Sequence, residues 1–440
     1  MLSITKVDKL AIRLSDKLQL TEIDTLAKQT GFAKRKAKKI TPTNFLLAFF
    51  LMMLTGGRSL SCFAETIGLL TGCLISKQAV FYRITDVLIK FLECILAKVL
   101  LQNTQTGIKK SSASVLAQFT RILIHDSTSI RLNKSLASYF PGSKNATNSK
   151  FASLKIQAVF ELVSEQFIHF FFSPFTVNDQ KVASDIVSML KPGDLLIRDL
   201  GYFVLSALKK IQEQQAYFLS RLKYGIALYE LDGVTRFNLL KQLRKYGFVD
   251  IDILLSAKEK LPVRLVAIPV LDEIAAERRR KYRQNRDRRL NPSKEHLSLL
   301  GWDVFVTNIP KEKLSIDQIK EIYGLRWRIE IVFKSWKSNF NIQDVPNANL
   351  IRVLSYIYAM LIFITIFQVH IFVTLYGKGI KDSENQLSLL KVTRFFKDQV
   401  WAIMLMVNEL DAIEKQILYH CRYENRSNRT NYFQKIDPLT

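Results

Sequence analysis

Acidic residues, cysteine and histidine are all scarce in this sequence, and each scarcity removes a class of function. Aspartate plus glutamate total 39 against 64 lysine plus arginine, a formal net charge of +25 over 440 residues. An excess of that size does not suit an ordinary cytosolic enzyme of a small metabolite, and it points to a polyanion partner. Membrane-surface binding is the other use of such charge, but it calls for a basic amphipathic helix beside an anchor. The four cysteines (Cys62, Cys73, Cys94 and Cys421) make no C-x-x-C pair. They suggest no disulfide framework and suit the reduced thiols of a cytoplasmic protein. Five scattered histidines argue against a structural zinc site. Lys6, Asp8 and Lys9 interrupt any early apolar run, so no secretory signal is expected. Internal repeats and low-complexity segments are also missing.

What is present is length enough for a large core and two or three domains. One stretch, Val353–Gly377, is apolar and long enough to cross a bilayer. Gln368 and His370 interrupt it, and no second run of that length follows. A helix apolar on all sides also serves as the central helix of a large core. The core reading is preferred here, which implies no membrane partner.

Along the chain, residues 1–115 read as helical. "NFLLAFFLMML" follows a basic "KRKAKK" run, and "SLSCFAETIGLL" and "SKQAVFYRITDVLIKFLECIL" suggest two further helices. Ser76 is the natural N-cap of the second. Lys77, Gln78, Tyr82 and Arg83 on its exposed side would suit a DNA major groove, although plain helical packing explains the pattern equally well. From about residue 118 the pattern turns to strands: "RILIHD" ending in Asp126, then "KIQAVFELVS" and "QFIHFFFSPF" around a turn at Ser164-Glu165. A helix over "DQKVASDIVSML", a strand "GDLLIRD" ending in Asp199, a helix and a strand "AYFLSRL" follow. Strands first, then alternating helices and strands, describe a mixed α/β sheet. Residues 222–301 interrupt that rhythm with β-like "VRLVAIPVL" and the run "ERRRKYRQNRDRR". Like-charge blocks are usually solvated, but Arg278, Arg279, Arg280 and Lys281 within an insertion suit a surface that tracks phosphates. The strand "WDVFVTN" and a helix capped near Ser315 come next.

That helix leads into "YGLRWRIEIVFKSWK" (323–337). Read as one helix, Tyr323, Arg326, Glu330 and Lys337 fall within an arc of roughly 60°. Leu325, Ile329, Val332, Phe333 and Trp336 fill the neighbouring, core-facing sector. Two readings fit the stripe: a solvated face with an Arg326–Glu330 pair, or charged groups bordering a cleft. Asp126, Asp199 and Glu330 are three carboxylates of the kind that hard divalent cations need. Two such ions about 3.5–4 Å apart serve phosphodiester chemistry.

The spacing Y-x2-R-x3-E-x6-K, met by Tyr323, Arg326, Glu330 and Lys337, resembles the signature of DDE transposases of bacterial insertion sequences, the insertion-sequence-4 type. "HDSTSIRL" resembles the group's first catalytic block, at Asp126, and "LIRDLGYF" the second, a D-x-G-Y block, at Asp199. The resemblance covers roughly residues 115–420. It implies an RNase H-like catalytic core (116–221 and 302–420), a β-rich basic insertion (222–301), an N-terminal helical DNA-binding domain (1–115) and a C-terminal tail (421–440). It implies that Asp126, Asp199 and Glu330 hold two Mg2+ or Mn2+ ions, and that Tyr323, Arg326 and Lys337 contact DNA phosphates. Trp302 stands where relatives place a tryptophan that stacks on a flipped base; a core strand aromatic is the alternative. Arg221 resembles a DNA-contacting arginine, and a strand-end surface cation is the alternative there. The function implied is cut-and-paste transposition, with a hairpin intermediate, by a homodimer on double-stranded DNA in the bacterial cytoplasm, associated with the nucleoid. A catalytically inactive, DNA-binding regulator derived from such an enzyme is the runner-up.

Overall fold

The computed structural model describes residues 22–35, 40–103, 115–144, 150–285, 293–379, 386–400, 403 and 410–424. The strands, in chain order, are β1 (Ile122–Leu132), β2 (Pro141–Lys144), β3 (Lys150–Glu161), β4 (Gln166–Pro174), β5 (Leu195–Arg198), β6 (Tyr217–Arg221), β7 (Leu228–Tyr229), β8 (Val249–Leu255), β9 (Leu261–Pro269) and β10 (Trp302–Thr307). Two compact units form. One draws on Met1–Lys109, Ser127–Thr176 and Arg328–Phe433, the other on Lys110–Asp126 and Val177–Trp327. This grouping puts the N-terminal helices with the C-terminal ones, and residues 222–301 with β5, β6 and β10.

In the first unit the helices begin where short polar side chains take up free backbone N–H groups. The Thr41 side chain accepts from Asn44 N ahead of Pro42–Leu54, Ser59 from Cys62 N ahead of Leu60–Thr71, and Ser76 from Ala79 N ahead of Lys77–Phe81. Gly72 stops Leu60–Thr71 at φ 68°, a left-handed conformation that a side chain would resist. The run from Ser76 to Leu96 is two helices, not one. Lys77–Phe81 ends before the β-branched pair Ile84-Thr85, and Asp86–Asn103 starts at the following aspartate, residue types that favour helix ends over interiors.

The apolar stretch forms the helix Leu350–Ile366, continued by a π-helical turn, Phe367–Val373, and by Thr374–Gly379. Residues Leu350–Tyr376 are long and apolar enough to cross a membrane, and 72% of their most apolar window is buried within the protein. Phe363 packs on Phe50 with ring centroids 5.6 Å apart, and Tyr356 on Phe49 at 6.2 Å. In the same unit β4 pairs antiparallel with β3 across the turn at Glu165, which takes φ 56°. Trp336 sits against Phe167, Phe170 and Phe333.

In the second unit the strand order is β1-β5-β6-β10-β9-β8-β7. β5 runs parallel to β1 and to β6, and every β5 residue is buried, as in a parallel strand covered on both faces. The remaining neighbours pair antiparallel. The architecture is the expected RNase H-like mixed α/β core with a helical N-terminal region. Residues 222–301 hold β7, β8 and β9 together with the helices Leu239–Tyr246, Asp272–Asn285 and Lys294–Leu299.

Three local expectations change. Asp126 does not end its strand: β1 runs on to Leu132, because Thr128, Ile130 and Leu132 continue the buried alternation. "DQKVASDIVSML" forms turns and a short 3-10 helix, Val187–Met189, instead of an α-helix. Its aspartates and serines compete for backbone bonds, as Asn178 does when its side chain accepts from Gln180 N at 3.2 Å. The Tyr323–Lys337 stretch lies on two consecutive helices, Ile316–Gly324 and Trp327–Ser338. The chain tightens after Gly324, with Leu325 N bonded to Ile322 O and Arg326 N to Tyr323 O. Glycine is the weakest ordinary helix former, so the break falls there.

Candidate active site

The second unit builds most of the candidate site. β1 and β5 run parallel, and their register ends on the pair His125↔Arg198. Asp126 is the next residue of β1 and Asp199 the residue directly after β5, so two half-buried carboxylates follow the last paired residues of neighbouring strands. Asp199 also occupies the N-cap position of a 3-10 turn, Leu200–Tyr202. Side chains alternate along a strand, and His125 and Arg198 are both buried. The His125 ring lies 4.3 Å from that of Tyr202. Burial pulls the Arg198 guanidinium down to about 10, against the upward pull of Tyr202 and Asp185, so it remains cationic at neutral pH.

The Ile316–Gly324 helix brings in the next two groups. Its start is fixed by a capping box in which Ser315 and Gln318 bond each other's backbone N–H. Near its end Tyr323 is buried, 5.0 Å from the Phe305 ring, with the Arg221 guanidinium 5.8 Å from its own ring centroid. Burial pushes the Tyr323 phenol above its ordinary range. Arg326 and Arg221 oppose that shift and Asp199 adds to it. The phenol can donate a hydrogen bond. In the turn that follows, Arg326 Nη1 lies 3.3 Å from Asp126 Oδ2. Its guanidinium is 5.6 Å from the ring of Trp327, which is exposed.

Arg221 ends β6 and bonds the carboxylate of Asp303, the residue after Trp302 on β10. Arg278 Nη2 reaches the same oxygen at 2.8 Å. Trp302 is half-buried, and its indole N–H donates to Gly247 O at 3.1 Å. Trp302 and Arg221 border a cavity of about 580 Å3, which Lys223, Tyr224, Asn238 and His296 also line. The Tyr224 and His296 rings stack there, 4.2 Å apart and 11° from parallel.

The four basic positions on the Asp272–Asn285 helix differ in their surroundings. Arg279 Nε donates to Leu297 O at 3.0 Å, Lys281 pairs with Glu277 at 2.7 Å, and Arg280 is exposed. The end of the basic run, Arg286–Arg289, lies outside the described residues.

Glu330 and Lys337 belong to the first unit, both half-buried on the Trp327–Ser338 helix, with Glu330 in its first turn. Around them Ile329, Val332, Phe333 and Trp336 are buried, the core stripe that the sequence implies. Among the described residues no three His, Cys, Asp or Glu side chains are gathered as a metal cage. The paired aspartates do suit a hard divalent cation: they are adjacent, partly open to solvent and offer only oxygen donors.

Two features escape the sequence reading. Asp303 joins two arginines, and the hint in the sequence is a carboxylate inside a largely apolar strand. Arg328 is fully enclosed and bonds both oxygens of Glu165 at 2.6 Å, with Gln368 Nε2 donating to the same carboxylate at 3.0 Å. No sequence pattern announces that pairing.

Residues 117–366 match the family model described as "Transposase DDE domain". The chain belongs to the DDE transposase family. Such transposases cleave DNA and transfer strands, and they depend on divalent metal. Over 360 residues this transposase is 31% identical to the transposase for insertion sequence element IS231D of Bacillus thuringiensis subsp. finitimus, covering 77% of this chain and 75% of that one. Similarity to the IS231F transposase of B. thuringiensis subsp. israelensis is 27% over 437 residues, 94% of this chain and 90% of the relative. The transposase for IS1151 of Clostridium perfringens is 26% identical over 381 residues, 81% and 79% of the two chains. A cryo-EM structure of a piggyBac transposase synaptic complex with hairpin DNA has a TM-score of 0.44 at 10% identity, covering 94% of this chain and 84% of that one. The chain is a transposase of the insertion-sequence kind.

Proposed function

We propose that this transposase cuts its insertion sequence out of DNA and pastes it elsewhere, through a hairpin at each freed end. The observation that carries this reading is the pair Asp126 and Asp199, each directly following the last paired residue of parallel β1 and β5, with Arg326 held 3.3 Å from Asp126. Asp126 and Asp199 would hold the divalent ion, Mg2+ or Mn2+ in a two-ion arrangement, and Glu330 is the third carboxylate that the signature marks as a metal donor. When bound, such ions supply Lewis-acid activation of an attacking oxygen and stabilise the leaving one.

The chain's own side chains do the rest. Arg326 sits against Asp126, where its charge attracts a scissile phosphate and offsets the repulsion between that phosphate and the carboxylate. Tyr323, a neutral phenol, donates a hydrogen bond to a phosphate oxygen. Lys337 contributes a point charge to the phosphate backbone. Water attack frees a 3′-OH at the element's terminal inverted repeat, and that hydroxyl attacks the opposite strand to close the hairpin. Trp302, at the rim of the cavity, stacks on the base that must leave the helix when the strand folds back. Reopening the hairpin lets the end join target DNA. The working form is a homodimer on two transposon ends, acting on nucleoid DNA in the bacterial cytoplasm.

The experiment uses a duplex carrying the element's terminal repeat, labelled on each strand in turn. With Mg2+ the full chain should give a nick with a 3′-OH, then a hairpin, with neither formed in EDTA. Specific binding without any strand cleavage would refute the enzyme reading and leave the DNA-binding regulator.

A further inference from the structure

Asp303 stands out because its charge is out of balance. It is the one carboxylate on β10, 8% exposed, and its Oδ1 accepts from both Arg221 and Arg278. Arg221 closes β6 and Arg278 rides on the Asp272–Asn285 helix, so one oxygen ties two separate elements together. Two guanidiniums on one carboxylate leave a net positive charge at the junction. The carboxylate is enclosed while the two guanidinium side chains stay 37% and 27% exposed, so the surplus charge is open to a solvent-borne anion. Here the surplus lies beside the cavity that Arg221 lines with Trp302. On its other side Arg221 faces the Tyr323 ring, three residues before the arginine that pairs with Asp126.

An arginine side chain free in solvent explores many rotamers and must lose that freedom to bind a phosphate. Two neighbouring arginines would in addition repel each other. Asp303 removes both costs in advance, because it sets the two guanidiniums at a fixed separation before DNA arrives. The carboxylate itself repels phosphate, which offsets that gain in affinity and leaves placement of the phosphate as its net effect. We propose that Asp303 is a positioning residue that preforms Arg221 and Arg278 as a fork for one DNA phosphate, on the strand that passes from Asp126 and Asp199 to the Trp302 cavity. The proposal rests on the transposase reading. Asp303 touches no DNA; it acts through the two arginines.

The structure therefore implies a separation of binding from catalysis that a purely structural role would not produce. The full chain, with Asp303→Asn and Asp303→Glu, is compared on duplexes with and without the terminal repeat. Gel shifts, single-turnover nicking at saturating protein and thermal melts are read on the same preparations. Asp303→Asn should bind both duplexes as tightly as wild type or more tightly, since one negative charge is gone. Its single-turnover nicking rate should fall about 10- to 100-fold, as expected for misplaced positioning groups. Asp303→Glu, which restores the charge, should recover part of that rate. Asp303→Asn nicking at the wild-type rate overturns the proposal. Parallel loss of melting temperature, binding and nicking also overturns it, by making Asp303 a plain fold residue. Failure of wild-type protein to nick end DNA would instead refute the transposase reading itself, and the role of Asp303 with it.

Discussion

Replacing Glu165 with glutamine isolates the charge that holds the helix carrying Glu330. Arg328 stands two residues before Glu330, its side chain wholly enclosed, and Glu165 opposite is 2% exposed. The two form a bidentate pair at 2.6 Å, and Gln368 on the π-helical turn adds a third bond to the same carboxylate at 3.0 Å. Three elements of the first unit thus meet at one side chain: the β3–β4 turn, the Trp327–Ser338 helix and the Phe367–Val373 turn. Glu165→Gln keeps the shape and removes the charge of the carboxylate that bonds the enclosed guanidinium at both oxygens. Breaking a buried pair from one side costs about 3–5 kcal/mol. In domains of a few hundred residues 1 kcal/mol moves the melting midpoint by about 2–4 °C, so a fall of about 6–20 °C is expected. Scanning calorimetry on wild type, Glu165→Gln and the double variant Glu165→Gln/Arg328→Met measures it. The double variant should regain much of the loss, because it buries no unpaired charge. A Glu165→Gln midpoint within about 1 °C of wild type would refute the reasoning, since that shift is below what even one lost hydrogen bond predicts.

The other predictions concern DNA and solubility. Trp302→Ala should spare first-strand nicking and slow hairpin formation by about 10- to 100-fold, because stacking is worth roughly 1–3 kcal/mol per base. An abasic site at the flipped position should partly rescue it in time courses that resolve nicked and hairpin products, whereas equal loss of both steps would make Trp302 a core aromatic. Neutralising Arg278, Arg279, Arg280 and Lys281 together should weaken DNA binding and lower the log–log salt slope by about 0.9 for each phosphate left without its cation. Arg278 of the fork and the exposed Arg280 and Lys281 should contribute, and an unchanged slope would make the run a solvated face. With Leu350–Tyr376 largely buried, the protein should stay in the supernatant of a detergent-free extract after high-speed centrifugation, and recovery only with detergent would contradict the core reading.

The sequence carried the fold class because its strands announce themselves in two ways. β5 and β6 are short apolar runs flanked by turns, and β3 and β4 flank a turn at Ser164-Glu165. Local competition was harder to read. Gly324 breaks what looks like one helix, Asp185 and the serines near it turn an apparent helix into turns, and Thr128, Ile130 and Leu132 prolong β1 past Asp126. Each of these depends on one or two residues overriding a longer pattern. At the candidate site, Asp126 and Asp199 could be found because each lies in a recognisable block. Asp303 and Glu165 could not, because their meaning comes from arginines far away in the chain: Arg221 and Arg278 for one, Arg328 for the other. Pairings between distant segments leave no periodic trace in a sequence.

The central claim is that Asp199, beside Asp126, belongs to the machinery that breaks DNA. Asp199→Asn tests it most directly, with gel shifts and Mg2+-dependent nicking read on the same preparation and the same terminal-repeat duplex. The substitution keeps the size of the side chain, removes a donor for the divalent metal and takes one negative charge away from approaching phosphates. End binding should therefore match or exceed that of wild type while nicking disappears. Appreciable Mg2+-dependent nicking by Asp199→Asn would contradict the account.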